Sequence, residues 1–204
     1  MIAIKDLSKS YGSNQILKKI NLDLHKGNVY GFVGKNGAGK TTLFRCLAGL
    51  ENYNGKIISD YKILKNHLGF LQTNPFFMSK ITGWEYLKLL SVARDIKTDN
   101  FKKQNIFDLP LNQYTDTYST GMIKKLAFIG ILLQENDIFI LDEPFNGVDI
   151  HSNILISEII AKLKSLNKIV LISSHIFSTL SDCSDEIRLL KNGYFSKNSQ
   201  KKRI

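Results

Sequence analysis

The sequence predicts an α/β protein: a parallel sheet flanked by helices, with an antiparallel β region at the N-terminus and a helical segment inserted into the core. Three observations carry this. The runs VYGFV at 29–33, IFIL at 138–141 and IVLI at 169–172 are apolar without alternation, as strands buried on both faces are. Longer stretches with apolar residues at helical spacing separate them, the alternation that builds a parallel sheet. At 204 residues, with 43% apolar and 23% charged side chains, the chain has the size of one domain and the composition of a folded one.

Taken in order, the first 25 residues and the stretch 55–65 pattern as antiparallel β. A helix follows VYGFV, with Leu43, Leu47 and Leu50 facing inward and Cys46 as a small core residue beside them. The segment 74–121 carries no strand pattern. Thr82 and Glu85 have the spacing of a capping box, in which each residue satisfies a backbone N–H of the other, and an apolar helical stretch runs from there through Val92. A second helix begins near Ser119, with Leu126, Ile129 and Leu133 on one face. The expected organisation is a single domain over 1–204, with an α/β core over about 1–73 and 122–204 and a helical subdomain over about 74–121. Leu155, Ile159, Leu163 and Leu166 place a helix between the last two apolar strands. Asn192-Gly193, between Arg188–Lys191 and Tyr194-Phe195, signals a tight hairpin.

Composition narrows the function classes. No apolar run approaches the length of a membrane span, and the start MIAIKDLSKSYG lacks the basic-then-apolar pattern of a signal peptide. Cys46 and Cys183 are too few for a disulfide framework or a metal cluster. The expectation is a cytosol-facing protein. A net charge of +10 favours polyanions, whether nucleotides, nucleic acid or an anionic membrane face. The lysines are dispersed as pairs such as Lys18-Lys19, Lys102-Lys103 and Lys124-Lys125, with a terminal Lys201-Lys202-Arg203. That distribution fits a solvated surface with a ragged basic end better than a nucleic-acid patch, and no aromatic residues interleave with it.

The chemistry is concentrated in two motifs. GKNGAGKT at Gly34–Thr41 lies between an apolar strand and a helix. Gly34, Gly37 and Gly39 let the backbone curl so that the N–H groups around Lys35, Asn36 and Ala38 point at phosphate oxygens. The helix N-terminus adds partial positive charge. Lys40 reaches the β- and γ-phosphates, Thr41 ligates Mg²⁺, and Thr42 adds an α-phosphate contact. Asp142 and Glu143 follow IFIL directly, at a strand end where open parallel sheets bind ligands. Asp142 would hold Mg²⁺ through water, and Glu143 would polarise the attacking water as a general base. A carboxylate pair that merely caps the strand is the competing reading.

With these stand Tyr11, Gln72 in FLQTNP, YSTGM at 118–122, LDEP and NGVD at 141–149, and SSHI at 173–176. In this order and spacing the whole chain resembles the nucleotide-binding domain of ATP-binding cassette (ABC) proteins. The resemblance implies a P-loop NTPase core of the RecA-like kind. It implies that Tyr11 stacks on adenine, though a packed strand-end tyrosine is the alternative. Gln72 would be the glutamine that touches Mg²⁺ and water and senses a membrane partner. Ser119, Thr120 and Gly121 would cap the γ-phosphate bound to the opposite subunit, where a plain helix cap is the alternative. Asp149 would cross the dimer interface, and His175 would contact the γ-phosphate and orient the water. His25, His67 and His151 match no motif and read as surface or packing residues.

YSTGM departs from the family's commonest LSGGQ at Thr120 and Met122. Ser119 and Gly121 remain, so phosphate capping is expected to persist. The form resembles branches paired with export permeases. The implied function is an ATPase subunit that binds ATP and Mg²⁺, dimerises with a second cassette around two nucleotides, and drives a separate transmembrane permease from the inner face of the cell membrane, with no direct nucleic-acid contact. Two rivals remain open. A soluble ABC-type ATPase acting on DNA or ribosomes is permitted by the charge, but its long coiled coils, cysteine clusters or second cassette are not seen here. A small-molecule kinase would need neither YSTGM nor the histidine after the last strand.

Overall fold

Strands β1 (Ile2–Tyr11) and β2 (Asn14–Leu24) pair antiparallel, and β4 (Asn54–Ser59) pairs antiparallel with the other edge of β1. The structure, a computed structural model, describes residues 1–98, 100–196 and 200–201. The terminal Lys202 and Arg203 lie outside the described residues. A second sheet is built on β3 (Val29–Val33), β5 (Leu68–Leu71), β6 (Ile138–Asp142), β7 (Ile169–Ser174) and β8 (Glu186–Lys191), ordered β8-β3-β7-β6-β5 with every neighbour parallel. The hairpin at Asn192-Gly193 joins β8 to the antiparallel β9 (Tyr194–Phe195), as expected, and β10 (Gln200–Lys201) adds to the outer edge of β8.

The apolar runs became the three central strands because both of their faces are covered. Tyr30, Phe32, Ile138, Ile140, Ile169 and Leu171 enter one core, whereas Val29, Val33, Phe139, Leu141, Val170 and Ile172 enter another. The first core lies between the two sheets and encloses α1 (Lys40–Leu47) through Leu43, Phe44 and Leu47. Phe32 and Phe44 meet there edge to face at 5.4 Å. The second is closed by α3 (Thr120–Leu133) and α4 (Ile150–Ser165). A third, smaller core holds Leu126, Ile129 and Leu133 of α3 against Leu87 of α2 (Gly83–Ala93), Phe101 and Leu109. The Thr82–Glu85 capping box is formed in both directions. A short helix, α5 (Phe177–Ser181), follows β7.

Four readings need correction. Leu50 is 54% exposed rather than inward. The helix stops at Leu47 because Gly49 takes a left-handed φ of 71°. There Gly49 N–H bonds to Cys46 C=O and Leu50 N–H to Arg45 C=O, a Schellman ending that takes Leu50 out of helical phase. On α4 the buried stripe is Ser152, Ile156, Ile160 and Leu163, with Leu155 and Ile159 only partly covered and Leu166 exposed. Isoleucines surround this helix, so helical spacing alone offers two rival faces. No sequence pattern marks strand β5, and the pattern marks β8 only as a hairpin arm although it also extends the parallel sheet.

Candidate phosphate-binding and catalytic site

The C-terminal ends of β3, β6 and β7 open into a cleft of about 430 Å³, lined by Tyr11, Asn36 to Thr42, Thr73, Glu143, Asn146 and His175. Its floor is the glycine loop. Gly37 and Gly39 have φ of 79° and 106°, a region other residues enter only at a steric cost. A side chain at Gly34 would sit 2.6 Å from the Leu190 carbonyl oxygen, so β8 holds the loop from behind. Gly39 caps α1 without a side-chain acceptor, which leaves the first-turn N–H groups free to face an anion. Lys40 is 6% exposed. Its Nζ donates to Gly34 C=O at 2.7 Å and to Lys35 C=O at 3.5 Å, and lies 3.4 Å from Glu143 Oε1.

Asp142, fully buried behind the cleft, is held by three hydroxyls. Thr41 and Thr73 each donate to Oδ2 at 2.7 Å, and Ser173 donates to Oδ1 at 2.5 Å. One carboxylate oxygen flanked by two hydroxyls is a hard-oxygen set, which fits Mg²⁺ better than a soft metal. Ser173 also accepts the Glu143 N–H at 2.9 Å. Glu143 itself has φ of 50° and points Oε2 at His175 Nδ1, 3.1 Å away. The two carboxylates therefore face opposite ways: Asp142 toward the hydroxyls and Glu143 toward Lys40 and His175.

At the mouth of the cleft Tyr11 is 46% exposed, so it is not a packed core tyrosine. Burial of its hydroxyl, and then its hydrogen bond to Glu51, raise its pKa, and Lys9 Nζ sits 4.7 Å from its ring centroid. Cys46, on the inner face of α1, is buried, and burial pushes its thiol up to about 11.

Gln72, expected at the metal, is exposed and does not line the cleft. The chain bends directly after it, and it is Thr73 that turns inward to Asp142. Ser119, Thr120, Gly121 and Asp149 also lie off this cleft. Ser119 caps α3 by accepting Met122 N–H at 3.2 Å, so the plain-cap reading holds as local structure. Thr120 lines a neighbouring groove with Phe76 and Phe77. Asp149 caps α4, accepting from Ser152 N–H and Oγ at 2.9 Å each, and pairs with Lys125. The Lys125 contact, followed by the Ser152 bonds, holds its carboxyl far below the usual range.

Thr73, Ser173, Asn146 and Lys124 were not singled out from sequence. Ser173 opens the SSHI segment, whose pattern gives it no role. Lys124 has the sequence context of a solvated lysine pair, yet it is 5% exposed and burial lowers its pKa. Only its helical phase, three residues after Gly121, marks it as inward.

A family model described as ABC transporter matches residues 17–146. The bacitracin transport ATP-binding protein of Enterococcus faecalis is 31% identical over 215 residues, covering 95% of this chain and 67% of its own. The lantibiotic transport ATP-binding protein of Streptococcus pyogenes is 30% identical over 205 residues, covering 95% and 88%. An uncharacterized ABC transporter ATP-binding protein of Nostoc sp. is 31% identical, and this chain spans 57% of its length. Among solved structures, an ATP-binding subunit of an ABC transporter superposes with a TM-score of 0.85 at 24% identity, over 98% of this chain and 90% of that one. A dimeric ATP-binding cassette in a post-hydrolysis state with ADP and Pi gives 0.85 at 19% identity, over the whole of both chains. At these identities the two structures bear on the fold.

Proposed function

Because this chain belongs to the ABC transporter family, we propose that it is the ATP-binding and ATP-hydrolysing subunit of a transporter whose membrane permease is a separate chain. The observation that carries the reading is the convergence of Lys40, Glu143 and His175 on the one cleft that the glycine loop floors. The backbone N–H groups of the glycine loop and of the first turn of α1 would bind the phosphates, and Lys40 would exchange its loop carbonyls for phosphate oxygens. Tyr11, presented at the cleft mouth, would stack on the adenine. Glu143 would take a proton from the attacking water as it adds to the γ-phosphorus and the bond to the ADP oxygen breaks, with His175 steadying the carboxylate. Thr41, Thr73 and Asp142 are the residues that would hold Mg²⁺, directly or through water. When bound, the ion neutralises charge developing on the β- and γ-phosphates.

The position of Ser119, Thr120 and Gly121 outside the cleft fits a dimer in which each signature segment serves the partner's nucleotide, and Asp149 would lie along that interface. Among the described residues no helix is long and apolar enough to cross a membrane, in keeping with a subunit that reaches the inner face of the membrane through its permease. The groove beside Gln72, where Phe76 is 88% exposed, is the face we assign to that contact. The relatives named for bacitracin and lantibiotic transport, with the YSTGM signature, favour export of a peptide-like substrate. The test is Glu143→Gln. It should bind ATP with Mg²⁺ as the unsubstituted chain does while its turnover falls by about 10²-fold or more. Unimpaired turnover would overturn the assignment.

A further inference from the structure

The β6–α4 connection runs along the first turns of α3, and three contacts join them. The backbone at Gly147 approaches so closely that a side chain on Gly121 would lie 2.8 Å from its carbonyl oxygen. Lys125 pairs with Asp149. Between these, the buried Lys124 extends its ammonium to the Glu143 carbonyl at 3.0 Å and the Asn146 carbonyl at 2.7 Å. The Asn146 N–H returns to the same Glu143 carbonyl at 3.2 Å.

Glu143 needs such a hold. Its φ of 50° is a conformation that disfavours any residue with a Cβ, and such strain persists only where the surroundings over-determine it. Ser173 fixes its N–H and Lys124 its C=O. The carboxylate is then aimed between Lys40 and His175 by a backbone pinned at both ends. An ammonium suits the task because its three donors serve two carbonyls at once, and hydrogen bonds from a charged group are the stronger kind.

We propose that Lys124 is a positioning residue for hydrolysis: from the signature helix it locks the Glu143 backbone in its left-handed conformation and so sets the direction of the catalytic carboxylate. The inference rests on the reading of Glu143 as the group that activates water. It also makes α3 a rigid link between the Ser119–Gly121 edge and the subunit's own carboxylate.

The test uses Lys124→Met, which keeps the stem and removes the donors, alongside Glu143→Gln and the double variant in the full chain. Lys124→Met should lower kcat by about tenfold or more while KM and the affinity for a fluorescent ATP analogue stay within about twofold. In the Glu143→Gln background it should change the residual rate by less than about twofold, because both substitutions act on one group. Lys124→Gln, which retains an amide donor, should recover part of the loss, and it carries the same readings if the Met variant does not fold. Equal losses in affinity and kcat/KM with kcat unchanged would overturn the inference, as would a tenfold effect that persists on Glu143→Gln. Wild-type kcat in Lys124→Met beside a defective Glu143→Gln would overturn this inference alone. Unimpaired Glu143→Gln would overturn the functional reading and this inference with it.

Discussion

Removing one hydroxyl, in Ser173→Ala, should cost the fold more than any surface change near the site. Ser173 is fully buried and serves two groups at once, donating to Asp142 Oδ1 at 2.5 Å and accepting from Glu143 N–H at 2.9 Å. Thr41 and Thr73 both bind the other oxygen of Asp142, so neither replaces the lost donor. A hydrogen bond to a charged partner contributes about 1.5–3 kcal/mol, and a buried amide left unpaired costs about 1–3 kcal/mol. The expected destabilisation is therefore about 3–5 kcal/mol, or roughly 10 °C in Tm for a chain of this length. Urea unfolding followed by circular dichroism measures it. The midpoint should fall with an unchanged slope, since the surface exposed on unfolding is the same. A loss below about 1 kcal/mol would show that the two bonds do not carry the load assigned to them, because surface-type substitutions already span that range.

Two further outcomes follow from the same geometry. Thr73→Val keeps the side-chain volume and removes the donor to Asp142, so it should weaken ATP binding several-fold in the presence of Mg²⁺ and leave binding in EDTA unchanged, whereas Gln72→Ala should alter neither. Titrations of a fluorescent ATP analogue decide this, and the opposite pattern would return the metal-facing role to Gln72. The Asp149 carboxyl is held below its ordinary value of 3.8 by Lys125 and Ser152, so folding lowers its pKa. Its contribution to stability is present above the unfolded value and is lost as pH falls through the folded one. Asp149→Asn should then be the less stable protein at pH 7, with the difference shrinking as pH drops below about 4. Urea midpoints that stay equally far apart from pH 7 to pH 2.5 would refute it.

Much of this was legible because it depends on local pattern. Strands covered on both faces show as unbroken apolar runs, the Thr82–Glu85 box announces its helix, and the glycine loop needs its glycines at fixed positions. What stayed hidden depends on tertiary context. Strand β5 is four residues long and contains Gly69, where an added side chain would collide with Asn136, so neither length nor propensity marks it. The choice between Gln72 and Thr73 turns on a bend after the strand, which no periodicity encodes. Lys124 and Lys125 are neighbours in sequence and both carry charge. The helix nevertheless sends one to an exposed carboxylate and the other to the backbone carbonyls of Glu143 and Asn146.

The division of labour at the site follows from the strands' register. Asp142 pairs with Ser173 across β6 and β7, in the same ladder that sets Ile140 beside Leu171 and Ile138 beside Ile169. All six lie at alternate positions on one face, and the four apolar ones enter the core that encloses α1. Burying those side chains against α1 is therefore also what points Asp142 at Thr41, the second residue of that helix, and sets Ser173 beside Asp142. Shifting β7 by one residue would bring Ser174 opposite Asp142 and turn Ile169 and Leu171 to the wrong core. Both faces stay buried, so the cost is misfit rather than exposure: Val170 and Ile172 would take the places of Ile169 and Leu171 in the first core and the reverse in the second. Such misfit in a close-packed core costs about 1–3 kcal/mol per site, a large share of the ~5–15 kcal/mol that stabilises a domain. The precision of the polar site is thus enforced by apolar packing two and four residues upstream of it. Lys124 and Ser173 then hold, by direct hydrogen bonds, the left-handed turn at Glu143 that follows β6.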